Sequence, residues 1–561
     1  MKELKLVIYL ALTDTLITCF IFYYSLYMKP VYRTMWMLPR NIRKIEPWKL
    51  VQIANIICAC DAQISDQRVQ NTLYSQLCEL GIKVDTNPNG VVNPGGFRTY
   101  LAQLACLGFF FKDPSDNSFK LTYAGEKLIS GDHPLQVLRC QLMRMQCPSV
   151  YGLGQNVRFS PTMKVKPFVF LVKLLQDPLL DFKLNDKEIG LAVIYGRTFN
   201  DYEKVVNKII SFRHNTEYRN LIDNVDDVRT PRRYHEDAPE QDLEQGITDA
   251  ITIGNTFKNY LEAAMLIAKT PDLQFYELNN DPKVIAELSK YLSEPLETLD
   301  KNALVAWQMR YGRFDKTKAV RTLSSRINSK NSGFTTLIQT SYFSYIEEHL
   351  FEYSDQDFIS LQAQKWGKSE SDIAAIIEPL KNKTNSLEAD TLIKASLSGG
   401  KDSLILEKGV TAIFKQLGFD GSLHIGQKKS NREGGFPDVQ IYKSGDNFCG
   451  MGDSKATSKY SFPITDTVKL ATYYKHCENE LDNPVKSFYF VYIAGGFKSS
   501  LKTVNDLLLK CQSQYSRPVS AITVNSLLEL LKYKNEVTVE KIVKSFLKGK
   551  FIQSAYEVLN S

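Results

Sequence analysis

Residues 436–455 have the sequence FPDVQIYKSGDNFCGMGDSK, which predicts two strands joined by a tight turn. Apolar residues flank a central Ser-Gly-Asp-Asn segment, and a Gly-Asp pair suits a two-residue hairpin loop. If Gly445 and Asp446 form that loop, Asp438 lies directly opposite Asp453. Opposed side chains in a hairpin have Cβ atoms about 5 Å apart, so the two carboxylates are placed to grip one divalent cation.

The second strand also carries a lysine. Asp453 and Lys455 lie two positions apart, so they share one face of the strand. On that face the lysine can hold or activate a water beside the metal, or stabilise the charge of a phosphorane. The Pro-Asp and Asp-x-Lys spacing is typical of metal-dependent nucleases. The alternative is a surface hairpin with solvated charges, but Gly450 and Gly452 and the apolar neighbours favour a packed strand.

A third carboxylate lies upstream, on a helix predicted over residues 404–417. Glu407 shares a helix face with the apolar Val410, Phe414 and Leu417. A carboxylate on an apolar face needs a partner. The partner is either a metal, or a water bound to it, or the cation of a salt bridge.

Length and composition limit the class of protein. A chain of 561 residues predicts several domains, and 43% apolar with 23% charged residues is ordinary for globular protein. These values exclude a wholly disordered, collagen-like or multi-span membrane protein. Ten Cys without a CxxC pair and six scattered His argue against a disulfide scaffold or a zinc finger. Reduced core thiols suit the cytoplasm.

The net charge of +7 lies in the C-terminal third of the chain. Residues 391–561 contain 23 Lys or Arg and 16 Asp or Glu, whereas residues 1–390 contain 46 of each sign. This distribution fits a polyanion partner such as nucleic acid. A general solubility bias explains it equally well.

An apolar stretch at residues 6–28 contains one charged residue, Asp14, and is long enough to span a bilayer. Asp14 weakens that interpretation, and no small-residue cleavage site marks a signal peptide. Three interpretations stay open: a true start further along the chain near Met35, a membrane anchor, or a buried helix.

Residues 97–130 suggest a DNA-binding unit. A helix is predicted over residues 97–108, two short strands over 109–111 and 119–122, and a further helix from Ala124. This order resembles a winged helix, whose helix enters a major groove. A purely structural unit is the alternative. Arg98 is our candidate for DNA contact, although a surface or capping arginine would have the same sequence signal.

The domain organisation follows from these segments and a weaker echo of the same pattern at residues 257–281. We expect an α+β multidomain protein, in which a helical, winged-helix-like DNA-recognition region precedes an α/β PD-(D/E)xK nuclease domain. The expected divisions are an apolar segment at 1–34, a winged-helix-like recognition region at 35–214, a linker or long loop at 215–250, a second helical or winged-helix-like region and connector at 251–384, and the cleavage domain at 385–561.

From about residue 404 to residue 551 the chain resembles the cleavage domain of FokI-type type IIS restriction endonucleases. The matching segments are Leu406-Glu407-Lys408, Pro437-Asp438, Asp453-Ser454-Lys455-Ala456, Phe462-Pro463-Ile464, the strand at 488–498, and residues 537–543 and 548–551. The N-terminal half resembles the AlwI-type group of type IIS enzymes, which includes strand-specific nickases. The segments there are Phe97-Arg98-Thr99-Tyr100, Leu121-Thr122-Tyr123-Ala124-Gly125, Cys147-Pro148-Ser149 and residues 167–170.

The resemblance implies Mg²⁺-dependent cleavage of double-stranded DNA at a fixed distance from an asymmetric site. It places Asp438, Asp453 and Lys455 at the catalytic positions, with Glu407 as a further candidate. In the FokI family an acidic and a basic residue, four apart on the helix after Pro-Ile, pair two cleavage domains. Here the matching residues are Val468 and Thr472, so a transient homodimer would need a different contact.

The sequence therefore predicts a type IIS restriction endonuclease, whose host would also need a DNA methyltransferase acting on the same site. A strand-specific nicking endonuclease is the first alternative. A DNA-binding regulator with an inactive nuclease fold is the second, although the intact Asp438, Asp453 and Lys455 argue against it.

Overall fold

The computed structural model describes residues 32–39, 45–58, 67–79, 95–113, 115, 118–131, 133–154, 157–229, 242–270, 272–297, 304–313, 332–419, 423–424, 436–443, 448–480 and 487–560. The apolar stretch at residues 6–28 and the hairpin loop at 444–447 lie outside these ranges.

The first described elements are three helices, a hairpin and two further helices. Their bounds are Pro47–Cys58, Gln67–Glu79, Gly95–Cys106, the strands β1 (Phe110–Lys112) and β2 (Phe119–Leu121), Tyr123–Ser130 and Pro134–Arg144. The strands pair antiparallel, with Phe110 opposite Leu121. The next helix begins where the Thr122 side chain accepts a hydrogen bond from the Gly125 amide and ends at Gly131, whose φ is 72°. The helix–hairpin–helix order predicted for residues 97–130 is confirmed.

The chain continues to residue 396 mainly as helices. The α-helices are Val150–Gly154, Pro167–Leu174, Asp186–Tyr195, Tyr202–Arg213, Leu243–Ala263, Pro282–Leu292, Leu304–Tyr311, Ser332–Glu348, Asp355–Trp366, Glu370–Ile377 and Thr384–Ser396. Short 3₁₀ helices are Pro178–Leu180, Phe199–Asp201, Tyr218–Leu221, Val225–Val228 and Glu378–Lys383. A small antiparallel sheet has the order β3 (Lys183–Leu184), β5 (Tyr276–Leu278), β4 (Ile267–Lys269).

The two helical regions that sequence analysis separated share one hydrophobic core. A single cluster of buried side chains runs from Met35 to Leu387. The Trp36 ring lies 5.2 Å from the Phe257 ring, and Gln103 Nε2 donates to Tyr260 Oη at 2.8 Å. Helical periodicity shows which face of a helix is buried, but not the helix that covers it, so this shared core has no local sequence signal.

Residues 33 and 34 pack with this core, although sequence analysis grouped them with the apolar N-terminal segment. The Arg33 side chain is only 2% exposed. It donates to the Met35 and Trp36 carbonyl oxygens at 3.0 and 2.8 Å. Thr34 Oγ1 donates to the Asp227 carbonyl oxygen at 2.8 Å.

The predicted linker at 215–250 differs from the structure at both ends. The 3₁₀ helices at Tyr218–Leu221 and Val225–Val228 lie inside it, and the helix Leu243–Ala263 begins inside it. The cause is burial: Val228 is fully buried and would touch any side chain added at Gly246. The stretch is polar in composition, which predicted a loop. Its apolar packing joins residues that are far apart along the stretch, such as Val228 and Gly246, and leaves no local sequence signal.

The C-terminal part is a six-stranded mixed sheet flanked by helices. The strand order is β11 (Phe551–Ile552), β10 (Val519–Thr523), β9 (Ser487–Ala494), β8 (Phe448–Lys455), β7 (Val439–Tyr442), β6 (Leu423–His424). Strands β6, β7 and β8 pair antiparallel, whereas β8, β9, β10 and β11 pair parallel. The helices are Ser403–Gln416, Ile464–Glu480, Leu501–Tyr515, Val524–Lys532, Val539–Leu547 and Ala555–Leu559.

Both faces of this sheet are covered. Along β9, Tyr489, Val491 and Ile493 belong to one hydrophobic cluster, and the alternating Phe490 and Tyr492 belong to the other. Alternate residues of a strand point to opposite faces, so a nearly continuous apolar run marks a central strand buried on both sides. Of the catalytic candidates, Asp453 and Lys455 lie at the end of β8, next to this central strand, and Asp438 lies just before β7.

Among the described residues, no helix combines the length and apolar character that crossing a bilayer would need.

One buried carboxyl predicts a measurable effect of pH on stability. Glu388 is 2% exposed, and burial raises its pKa from 4.5 to about 7, although a hydrogen bond from the Phe351 amide opposes the shift. Between pH 4.5 and 7 the folded chain therefore holds a proton that the unfolded chain has released, so stability falls as the pH rises through this range. The loss is about 3 kcal/mol for this group.

We expect Glu388→Gln to unfold at a higher temperature than the unmodified protein at pH 8 and at nearly the same temperature at pH 5. Thermal unfolding without DNA measures the difference, and Glu536→Gln, at an exposed position, is the control. An equal difference at both pH values would contradict the assignment of the effect to Glu388 ionisation.

Candidate active site

The hairpin β7–β8 has the register that the sequence predicted. Val439 lies opposite Gly452, and Ile441 lies opposite Gly450. Continued by one residue, this register places Asp438 opposite Asp453. Gly450 has a packing role, since a Cβ there would lie 2.2 Å from the Tyr489 ring on β9. The glycine leaves room for the Tyr489 ring on the sheet face opposite to Asp453, whose neighbour on β9 is Tyr492.

The two carboxylates form a crowded, largely buried pair. Asp453 is 3% exposed, and Asp438 Oδ2 accepts a hydrogen bond from the Ser454 amide at 2.7 Å. Burial raises the pKa of Asp438 well above its usual range, and the negative charges of Asp453 and Glu407 raise it further. The pair thus holds more negative charge than its surroundings compensate, and a bound cation would relieve this.

Lys455 contacts Asp453 directly, as expected for residues on one strand face. Its Nζ lies 2.8 Å from Asp453 Oδ2. Burial lowers the pKa of Lys455, but the charges of Asp453, Asp466 and Asp438 outweigh burial and raise the pKa above its usual value. Lys455 is therefore an ammonium at neutral pH in this arrangement and acts as a donor.

Glu407 lies on the helix Ser403–Gln416, close to the predicted span of 404–417. Val410, Phe414 and Leu417 are buried, as the helical pattern predicted. Glu407 itself is half-buried, and its charge acts on Asp438. The helix therefore brings a third carboxylate, which is not part of the hairpin, towards the Asp438–Asp453 pair.

The sequence did not predict three further residues around the pair. Asp466 Oδ2 lies 3.2 Å from Lys455 Nζ and accepts a hydrogen bond from Tyr460 Oη at 3.0 Å. Tyr473 is buried, and the charges of Asp453, Asp438 and Asp466 all raise its pKa in addition to burial. Asp466 follows Pro463-Ile464 at a helix start, where an acidic residue is common for helix-dipole reasons, so it gave no distinct signal.

The segment after Lys455 also contacts the small sheet of the N-terminal part. Glu277 on β5 accepts from Ser458 Oγ at 3.1 Å and from Lys459 Nζ at 2.7 Å. Asn280 Nδ2 donates to the Phe497 carbonyl oxygen at 2.9 Å. Arg98, the candidate DNA-binding residue, is not part of this site. It is an exposed residue of the helix Gly95–Cys106, which packs in the N-terminal region.

The donor set fits a divalent cation in part. Among the described residues, Asp453 Oδ2 is buried, and its one close polar contact is the ion pair with Lys455 Nζ at 2.8 Å, which lacks hydrogen-bond geometry. Carboxylate oxygens are the donors that hard divalent cations prefer. No group of three His, Cys, Asp or Glu side chains in the described ranges is close enough to form a complete protein cage. A cation that keeps several waters or takes oxygens from a substrate needs only one or two carboxylates.

Comparison with protein families gives two matches. Residues 367–553 match the family described as the cleavage domain of FokI, and residues 31–228 match the N-terminal domain of the type II restriction endonuclease HgaI. Sequence analysis expected the AlwI-type group for the N-terminal half, whereas the family that matches there is the one described for HgaI. No curated protein matches the chain.

The solved structures that match include one described as the restriction endonuclease FokI and one described as FokI bound to DNA. The chain is 13% identical to the first, with 93% of this chain and 100% of that chain covered, at a TM-score of 0.26. The second is 12% identical, with 94% and 100% covered, at the same TM-score of 0.26.

The family matches define the class: the protein is a site-specific deoxyribonuclease of the type II restriction endonucleases. More narrowly, its C-terminal region matches the FokI cleavage-domain family and its N-terminal region matches the HgaI N-terminal family, and together these matches support a FokI-like type IIS enzyme.

Proposed function

We propose that the protein hydrolyses both strands of DNA at a fixed distance from an asymmetric recognition sequence, with Mg²⁺ as cofactor. The observation that carries the proposal is the hairpin register, which sets Asp438 opposite Asp453 with Lys455 on the same face. The FokI cleavage-domain match over residues 367–553 supports it. We assign sequence reading to residues 35–214 and 251–384, and cleavage to residues 385–561.

In this proposal Asp438 and Asp453 hold the Mg²⁺, with Glu407 acting through a water bound to the metal. When bound, the metal supplies Lewis-acid activation of the scissile phosphate and of the attacking water. Asp453 Oδ2, whose contact with the Lys455 ammonium lacks hydrogen-bond geometry, would be one of the oxygens that hold the metal. Lys455 holds the attacking water by hydrogen bonding or stabilises the negative charge that grows on the phosphorus oxygens.

We assign DNA recognition to the N-terminal helices and hairpin. The helix Gly95–Cys106 precedes the hairpin β1–β2, which is the order of a winged helix, and exposed Arg98 lies on its first turns. Base edges specify the site, whereas phosphate contacts position the protein. The net positive charge at residues 391–561 would add sequence-independent attraction that weakens with salt.

Double-strand cleavage from one active site per chain requires a second copy, and the helix Ile464–Glu480 offers a surface for it. Ile464 is 80% exposed and Val468 is 55% exposed, four residues apart on one helix face. Apolar contact would thus replace the charged pairing of the FokI family. The partners we propose are double-stranded DNA and a transient second copy. We also propose that the protein acts in the cytoplasm, where a methyltransferase of the host protects the same DNA site.

Plasmid digestion tests the proposal. With Mg²⁺ we expect linear products whose sequenced ends lie at one fixed distance from a single asymmetric sequence, and no products in EDTA. Open-circular product alone would support the strand-specific nicking endonuclease. Specific binding without any cleavage in Mg²⁺ or Mn²⁺ would support the non-catalytic regulator and overturn the proposal.

A further inference from the structure

Asp466 lies at the centre of a small polar network beside the candidate catalytic residues. Its Oδ2 contacts Lys455 Nζ at 3.2 Å and accepts from Tyr460 Oη at 3.0 Å. Its Oδ1 contacts Lys469 Nζ at 3.1 Å. Asp466 is 15% exposed and Lys455 is 20% exposed, whereas Lys469 is 50% exposed. The inner oxygen therefore belongs to a largely buried contact, and the outer one to a solvated contact.

The network holds Asp466 in place from three directions. Asp466 is in the first turn of the helix Ile464–Glu480, where the helix dipole favours a negative charge. Its amide donates to the Pro463 carbonyl oxygen at 2.9 Å. Tyr460 is 6% exposed, and its ring centroid lies 5.3 Å from that of Tyr492. This packing fixes the position of the Tyr460 hydroxyl. The carboxylate that faces Lys455 is thus fixed before any substrate binds.

A lysine needs such a fixed partner at this position. Its ammonium is at the end of a flexible four-carbon stem with costly rotamer entropy. Its other partner, Asp453 Oδ2, is the buried oxygen that the proposed function gives to the metal. When that oxygen serves the metal, Asp466 is the remaining carboxylate in contact with Lys455 among the described residues.

We propose that Asp466 is a positioning residue, which holds the Lys455 ammonium in the geometry that cleavage requires while Asp453 serves the metal. Tyr460 supports this role by orienting the Asp466 carboxylate. The inference rests on the proposed function, because it assumes that Lys455 acts in hydrolysis. It adds a residue of this chain that neither the hairpin motif nor its spacing contains.

Single-turnover cleavage with saturating full-length protein tests the inference. We expect Asp466→Asn to lower the cleavage rate constant at least ~10-fold, the scale of one lost charged contact, with specific DNA binding unchanged. Asp466→Glu should recover part of the rate, and Tyr460→Phe should lose a smaller factor. Lys469→Ala, which removes only the solvated partner of Asp466, is the matched control and should cleave at the unmodified rate.

A second background separates positioning from a general structural role. If Asp466 acts through Lys455, Asp466→Asn should cause no further loss of residual cleavage in the Lys455→Ala protein. Equal losses in both backgrounds, or an Asp466→Asn protein that cleaves at the unmodified rate, would overturn the inference. Neither result would touch the proposed function, which fails instead if the unmodified protein does not cleave or if Asp453→Ala still does.

Discussion

Asp453→Ala is expected to abolish DNA cleavage while specific DNA binding persists, and Asp438→Ala should have the same effect. Each substitution removes one of the two opposed carboxylates of the hairpin and leaves the metal with a single protein ligand there. We expect cleavage rates in Mg²⁺ to fall at least ~1,000-fold, as for loss of a principal electrostatic group. Specific DNA binding should survive because we assign it to the N-terminal region, whose hydrophobic core runs from Met35 to Leu387.

Asp506→Ala serves as the control for charge removal, and Asp453→Asn as the control for folding. Asp506→Ala removes an exposed carboxylate in the same part of the chain and should cleave normally. Asp453→Asn keeps the shape of the side chain and removes the charge that, after burial, raises the pKa of Asp438, so without metal it should be at least as stable as the unmodified protein. Cleavage at the unmodified rate by either alanine variant would overturn the site assignment.

Lys455→Ala separates two roles within the same site. It should be inactive but still bind the metal, since Asp438 and Asp453 remain. Loss of metal binding, measured by calorimetry with Mg²⁺ or Mn²⁺, would show that the lysine is needed to hold the carboxylates in place.

The hairpin could be predicted from the sequence because its register depends on local signals. Alternating side chains, the Gly-Asp turn and the spacing from Asp438 to Asp453 fix the pairing, and the observed register agrees. The helix that carries Glu407 was equally accessible, because its apolar face repeats with helical period.

Asp466 could not be predicted in the same way. Its contact with Lys455 depends on the course of residues 456–463, where Phe462 has a φ of 55° and packs on Tyr492. It also depends on the parallel pairing of β8 with β9, whose partners are far apart in sequence. Contacts set by a connecting loop and a non-local strand leave no periodic trace, and the shared core from Met35 to Leu387 was missed for the same reason.

The second substitution with a large expected effect lies on the exposed face of the helix Ile464–Glu480. On this helix Leu470, Tyr473 and Tyr474 are buried, whereas Ile464 and Val468 point outward. Isolated exposed apolar residues are common on protein surfaces. Here two of them lie on one face, and Val468 matches one of the two positions at which the resemblance to the FokI family places the pairing of cleavage domains, so the proposed function assigns this face to contact with a second copy.

We expect Val468→Asp to convert the enzyme from double-strand cleavage to nicking. A carboxylate buried against a second copy lacks a partner and costs about 1–3 kcal/mol at each of the two symmetric positions. Linear product from supercoiled plasmid should fall at least ~10-fold, while specific binding and the first-strand nick persist. The cleavage rate of the unmodified protein should rise more than linearly with its concentration, and that of Val468→Asp should rise linearly.

Leu509→Asp is the matched control, because Leu509 is 59% exposed on a different helix, Leu501–Tyr515. It should linearise plasmid at the unmodified rate. Unchanged linearisation by Val468→Asp would place the contact between copies elsewhere. If the unmodified protein gives only open-circular product at every concentration, no second copy is needed, and exposed Ile464 and Val468 then belong to the surface of a strand-specific nickase.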